Sequence, residues 1–271
     1  MPVEAADLVT YLSAGRPDDD SDTSGGAIDA TVRLLDRTNT KTLNSGSGDT
    51  IDLVSASADD TQNMVLKGYG TDGTWIEETK ALSGTDHVQS TATFLHLCSA
   101  VLASNATGIV TVAEYNSGDP SSMFTVPVGE KGGQDMFLKV AAEASGGSTK
   151  KFYESCFIKN TDGASAVINA VIWLNEDEDS ELKMDLGMSG DVTVTGGSET
   201  TTNRVTEPST GGTYAWAEHA SQEAAHDVGD AEDGNLTAGE YQQVWVELTL
   251  ADGRTPEQVV QWAPKVYGEA T

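Results

Sequence analysis

Basic side chains are scarce in this chain. Lys and Arg number 15 against 43 Asp and Glu, for a formal charge of −28 over 271 residues. No stretch gathers cations into a stripe, so phosphate contacts have no source and direct nucleic-acid binding is not expected. Long apolar runs are missing too. The longest, around Phe94–Ala103, falls far short of the ~20 residues a membrane-spanning helix needs, so no membrane partner is expected. Met1–Gly15 is acidic without an extended apolar core, which predicts no secretory signal and an origin in the cytoplasm. On that expectation the sequons Asn105-Ala106-Thr107 and Asn235-Leu236-Thr237 have no obvious route to glycosylation. Only two cysteines occur, Cys98 and Cys156, each inside an apolar stretch. That placement suits buried small hydrophobes better than a redox pair or metal ligands.

Catalytic signatures are equally thin. The chain has no His-Glu-x-x-His, no Gly-x-Ser-x-Gly, no P-loop and no dinucleotide-binding glycine pattern. His219 and His226 are too far apart in a polar segment for a tight zinc site, and His87 and His96 stand alone. Carboxylate pairs such as Glu77-Glu78 are adjacent on a strand and point to opposite faces, so they cannot jointly flank one bond. Asp18, Asp20 and Asp22 are spaced like calcium ligands. However, Thr23 stands where the loop wants glycine, and the twelfth-position glutamate is missing. The expectation is therefore a protein that is not an enzyme, with no cofactor and at most weakly held cations on an acidic surface.

What the chain does have is strand-forming sequence. Phe152–Ile158 and Ala166–Leu174 are rich in β-branched and aromatic residues, and Asn160-Thr161-Asp162-Gly163 supplies a turn between them. Both arms are apolar at nearly every position, which predicts cover on both faces. Met64–Tyr69 and Thr74–Leu82 flank Gly70-Thr71-Asp72-Gly73, a strong hairpin signal. Val244, Val246, Leu248 and Leu250 alternate with Trp245, Glu247 and Thr249. Leu236–Tyr241, feeding that strand, is similar to the tyrosine corner of immunoglobulin-like sandwiches. The fold class expected is all-β, with two antiparallel β-sandwich domains, the C-terminal one immunoglobulin-like. Residues 1–30 are expected to pack with the second domain, residues 31–118 to form a β module that may be an insertion, and residues 119–271 to form the immunoglobulin-like sandwich. The glycines and proline of 114–134 predict a linker. The long polar stretch 196–234 contains Tyr214 and Trp216. With Trp245 these are the candidate interface residues, because an alternating aromatic pair in a long loop suits a contact surface.

The charge points to an environment. Dispersed carboxylates in such excess repel one another in dilute buffer. In molar salt the Debye length falls to roughly 3 Å and the repulsion is screened. Recurrent apolar strands separate this chain from acidic disordered proteins. An extreme halophile, or a virus of one, is the simplest source.

The motifs carry a resemblance. Thr61–Gly84 resembles a β module of tailed-virus virion proteins, through its strand, its glycine-aspartate turn and its strand ending in Glu78-Thr79. Tyr11-Leu12-Ser13-Ala14-Gly15, Gly25-Gly26-Ala27-Ile28, Phe157–Thr161, Val171–Leu174 and Leu236–Trp245 are similar to successive elements of a tailed-virus structural family. Ala14 and the aspartate run after Arg16 depart from that family's pattern. The resemblance implies a virion structural protein of a haloarchaeal tailed virus, most simply a head decoration or turret subunit. Its partners would be copies of itself, as a homo-oligomer, together with the major capsid protein or neighbouring virion proteins. A tail or baseplate component is the first alternative. A host-glycan-binding module using Trp75 or Trp216 is the second.

Overall fold

The computed structural model describes residues 4, 7–19, 21–35, 43–115, 120–138, 148–176, 182–187, 202–208, 226–227, 234–250 and 262–270. The protein is all-β. Regular structure among the described residues is strand, apart from 3-10 turns such as Leu43–Gly46. The chain divides into two compact units: a discontinuous one, Met1–Asp29 with Lys139–Thr271, and a continuous one, Ala30–Leu138. The first boundary falls inside a strand, β2 (Gly25–Leu34).

In the continuous unit the strands are β3 (Ile51–Ser55), β4 (Asn63–Tyr69), β5 (Trp75–Ala81), β6 (Val88–Gln89), β7 (His96–Leu102), β8 (Val110–Glu114), β9 (Ser121–Val126) and β10 (Gly132–Gln134). They pair in the orders β10-β7-β4-β5 and β6-β3-β8-β9. All these pairings are antiparallel, while β10 also runs parallel to the second half of β2, with Gly132 opposite Val32. Strand periodicity explains the core. Met64 and Leu66 on β4, Leu97 and Leu102 on β7, Ile51 and Leu53 on β3, and Val110 and Val112 on β8 are all buried in one apolar cluster. Each such side chain contributes about 1.5–3 kcal/mol by leaving water. Ile109 and Thr111 face the other way from Val110 and Val112, as the alternation predicts.

The β4–β5 hairpin forms where its turn residues predict, with Tyr69 opposite Trp75. Gly73 takes φ of 76°, and Asp72 Oδ1 accepts hydrogen bonds from the Thr74 N–H and hydroxyl. The linker expected at 114–134 is not what its described residues form. They hold β9 and β10, and the continuous unit extends to Leu138 rather than stopping at 118. One glycine there serves close approach. A Cβ on Gly132, which has φ of 135°, would sit 2.1 Å from the Ala100 carbonyl oxygen on β7. The apolar residues of Met136–Ala141 predict a strand; Met136–Leu138 forms a turn, and 139–141 lie outside the described residues.

The discontinuous unit is built from β1 (Leu8–Gly15), the first half of β2, β11 (Lys150–Asn160), β12 (Val167–Glu176), β13 (Leu182–Gly187), β14 (His226–Asp227), β15 (Tyr241–Leu250) and β16 (Trp262–Ala270). One run of strands has the order β13-β15-β11-β1, with β2 beside β1, and a second sheet has the order β14-β12-β16. Thus β11 and β12, adjacent in sequence, lie in different sheets, and the turn between them is a crossover. Phe152–Ile158 on β11 is buried at every residue, as expected for a strand covered on both faces. In β12 only Val167, Ala170 and Ile172 are buried among Val167–Trp173, so cover on both faces does not extend to it. Its sheet has three strands, and β12 buries alternate residues around a bulge at Ile168–Val171. Pro264 falls on β16, an edge strand, where a missing N–H is tolerated. The strand predicted at Asp191–Thr195 lies outside the described residues.

Asn160 sits at the junction of these elements and is fully buried. Its Nδ2 donates to the carbonyls of Ser165 (2.9 Å) and Leu236 (3.1 Å), and its Oδ1 accepts from the Asp162 N–H at 3.0 Å. Its backbone N–H donates to Glu240 O, and its carbonyl accepts from the Gly239 N–H. The corner before β15 is therefore organised by an asparagine. The Tyr241 ring packs edge-on against Phe157 with centroids 5.6 Å apart.

Candidate functional site

Among the described residues of the discontinuous unit, a buried polar construction forms where β1 leaves β11. β1 pairs with β11 only between Leu8 and Leu12, opposite Asn160 to Cys156. Beyond that, Arg204 meets the edge of β11 at Tyr153. The Tyr153 N–H donates to Arg204 O at 2.6 Å, and the Arg204 N–H donates to Asp22 O at 3.0 Å. Arg204 thus ties the acidic turn after β1 to the middle of β11. Its side chain is fully buried and forms an ion pair with Glu154, while Nη1 donates to Asp19 O at 3.2 Å. Glu154 shares its strand face with Phe152 and Cys156, so its charge sits in an otherwise apolar row, where a cation is needed to hold it.

The adjoining turn holds the acidic residues singled out by spacing. The structure places Asp18, Asp19 and Asp22 together, with ligand oxygens within 4.8 Å of one another, and Asp20 lies outside the described residues. Two of these carboxylates serve the turn itself. Asp22 Oδ2 accepts the Asp18 N–H, and Asp19 Oδ1 accepts the N–H and hydroxyl of Ser21. These are the described residues placed to share a cation; Asp18 and Asp19 are half-buried and Asp22 is exposed.

In the continuous unit the comparable construction is Asp60, which is fully buried. Its carboxylate accepts from Ser55 Oγ (2.5 Å), Gln62 Nε2 (3.1 Å), and the N–H groups of Thr107 and Gly108 (2.8 Å each). Its own carbonyl accepts from the Gly84 N–H. Burial pushes its pKa up, but the hydrogen bonds from Ser55, Thr107, Gly108 and Gln62 outweigh it and hold the group at about 2. Asp52 is also buried, and its Oδ2 lies 2.6 Å from His87 Nδ1. His87 therefore does not stand alone. Glu78 turns inward and accepts from the N–H groups of Thr91 and Ala92, while Glu77 is exposed near Lys67, so the two point apart as expected.

The aromatic candidates come out differently. Trp245 is 1% exposed within the single chain and packs with Tyr153. The expectation that it forms a subunit interface is corrected: both faces of β15 are covered, and its burial needs no second copy. Tyr214 and Trp216 lie outside the described residues, as do His219 and most of 196–234. Trp75 packs edge-on against Tyr69 with centroids 5.0 Å apart, a cross-strand pair. Cys98 and Cys156 are buried free thiols, and burial pushes the Cys156 thiol up to about 12. Spacing along the chain gives no signal for Arg204, the Asp52–His87 contact or the bonds from Thr107 and Gly108 to Asp60, because these partners lie tens of residues away or more.

No protein-family model matches the chain, and no curated protein matches it. Among solved structures, the crystal structure of the infectious bursal disease virus VP2 subviral particle aligns with 100% of this chain and 68% of that one. The identity is 9% and the TM-score is 0.14, a likeness too slight to carry any argument.

Proposed function

We propose that this chain is a non-enzymatic structural protein of a virion, of the kind made by tailed viruses of haloarchaea. In this reading it is a capsid decoration or turret subunit that assembles with copies of itself against the major capsid protein. Both units would be β-sandwiches, the discontinuous one immunoglobulin-like, and the protein would reside in the particle after assembly in the cytoplasm. The observation that carries the proposal is how the few cations are used. Arg204 is buried against Glu154, Arg33 forms a bidentate pair with Glu130 at 2.6 Å, Arg16 meets Asp29 at 2.7 Å, and Lys151 meets Glu247 at 2.6 Å. Cations engaged this way leave a strongly acidic surface on a chain of charge −28, which suits a shell component standing in brine. The all-β architecture and the turn motifs shared with tailed-virus structural proteins support the same reading.

Immunogold labelling of intact particles with antibody against this chain tests it. Gold over the head is the expected result. Gold at the tail or its tip would transfer the protein to the tail or baseplate, and unlabelled particles would defeat the virion assignment. The glycan-binding alternative is the weaker one, because Trp75, one of its two platforms, is engaged with Tyr69.

A further inference from the structure

The sheet β14-β12-β16 turns one face inward and leaves the other open among the described residues. On β12 the inward residues are Val167, Ala170 and Ile172, all buried. On β16 Gly268 faces the same way, because a Cβ there would sit 2.2 Å from Val167 Cγ1 and 3.4 Å from Ala170. Strand alternation then turns Lys265, Tyr267 and Glu269 outward. The register sets Val171 opposite Tyr267, Trp173 opposite Lys265 and Ile168 opposite Glu269, so these six residues share the outer face. Their exposures agree. Lys265, Tyr267 and Glu269 are exposed, Tyr267 at 46%, while Ile168, Val171 and Trp173 are half-buried. Two aromatic and two aliphatic side chains on an open sheet face have the composition of the centre of a subunit contact.

The charges on this face indicate which partner it fits. Lys265 and Glu269 lie two residues to either side of Tyr267, about 7 Å along the strand in each direction. Among the described residues neither has an ion-pair partner, whereas Arg16, Arg33, Lys151 and Arg204 are each matched with a carboxylate. The two cannot meet within one chain, because four residues of strand hold them about 13 Å apart. They meet in a second copy packed face to face, with a two-fold axis running across the strands at Tyr267. Each Lys265 then lies over Glu269 of the second copy, so the pair forms twice. Tyr267 and Val171 each face their own counterpart, and Trp173 falls over Ile168 of the second copy. The patch is its own complement, as an isologous contact requires, and the strands stay aligned as in ordinary sheet-on-sheet packing.

We propose that the outer face of β12 and β16 is a two-fold contact with a second copy of this chain. The proposal rests on the reading that the chain assembles with itself, and it names the surface. The test is sedimentation equilibrium of the full chain at the lowest KCl concentration that keeps it folded. Wild type is compared with Lys265→Glu, Glu269→Lys, the double exchange and Val171→Lys, with thermal unfolding of each to show that the fold is kept. Wild type is expected to pair. Each single exchange sets like charges against one another twice per contact and should weaken pairing about tenfold or more. The double exchange recreates both ion pairs and should restore it, which a folding defect would not allow. Val171→Lys, which leaves the edge of β16 untouched, should weaken pairing as well. Pairing that survives Val171→Lys overturns the face in favour of that edge. If wild type and every variant pair equally, this surface is not the contact and self-assembly runs through another. A monomeric wild type overturns the proposal and leaves the face to a different partner, while immunogold labelling of particles still decides the virion reading.

Discussion

Asp60 and Glu154 are both buried carboxylates, one in each unit, and they are held in opposite ways. Asp60 is surrounded by neutral donors from the end of β3 and two loops of the continuous unit, and no cation is among its hydrogen-bond partners. Glu154 relies on the guanidinium of Arg204, delivered by a segment some fifty residues further along the chain. The difference shows what each solution costs. Hydrogen bonds from backbone N–H groups need no scarce residue, but they demand that loops converge closely. An ion pair needs only one well-placed cation, but losing that cation strands a charge in an apolar row. In a chain with 15 basic residues, one of them enclosed beneath the surface is a substantial commitment.

The broadest way to test the comparison is to withdraw salt. Stability is expected to rise steeply from low to molar KCl as carboxylate repulsion is screened, while the buried Asp60 and Glu154 networks respond little. Thermal unfolding across that range measures it, and a flat midpoint would remove the argument for a brine environment. Next in size is Arg204→Ala, which leaves Glu154 buried and unpaired and should cost about 3–5 kcal/mol. Pairing it with Glu154→Leu should restore much of the loss in chemical denaturation. If Arg204→Ala alone unfolds at the wild-type denaturant concentration, the ion pair is not holding the discontinuous unit. Smaller is Asp60→Ala, expected to cost roughly 2–4 kcal/mol by orphaning the Thr107 and Gly108 N–H groups.

The Asp60 network also carries a pH signature. Its folded-state pKa, about 2, lies below the ordinary value of 3.8, so its contribution is complete above the higher value and is lost as pH falls through the lower. The stability gap between wild type and Asp60→Asn should therefore close between those two pH values. A gap that stays constant through the window would mean that Asp60 is not charged in the fold.

Much of the architecture was legible because strand signals are local. The Asp-Gly turn predicts the β4–β5 hairpin, and the alternation from Val244 to Leu250 predicts which residues share a face of β15. Legibility failed where a residue answers to a distant partner. Gly132 and Gly133 look like a linker, yet Gly132 is there because β7 passes too close for a side chain. Trp245 looks like a surface anchor because it shares a strand face with Glu247 and Thr249, but both faces of its strand are buried. Arg204 sits in a polar stretch with no pattern of its own, and only the path of the chain brings it to Glu154.

Asn160 has a consequence for how such a protein can vary. It joins the end of β11 to Leu236, 76 residues away, through its own side chain. The entropy of closing a loop grows only logarithmically, so doubling its length costs about 0.6 kcal/mol. Segments between the two anchors can lengthen or shorten across generations while the anchors stay in register. The lineage can then renew the outer contour of the molecule, where recognition by a changing environment is decided, without reinventing the frame that carries it.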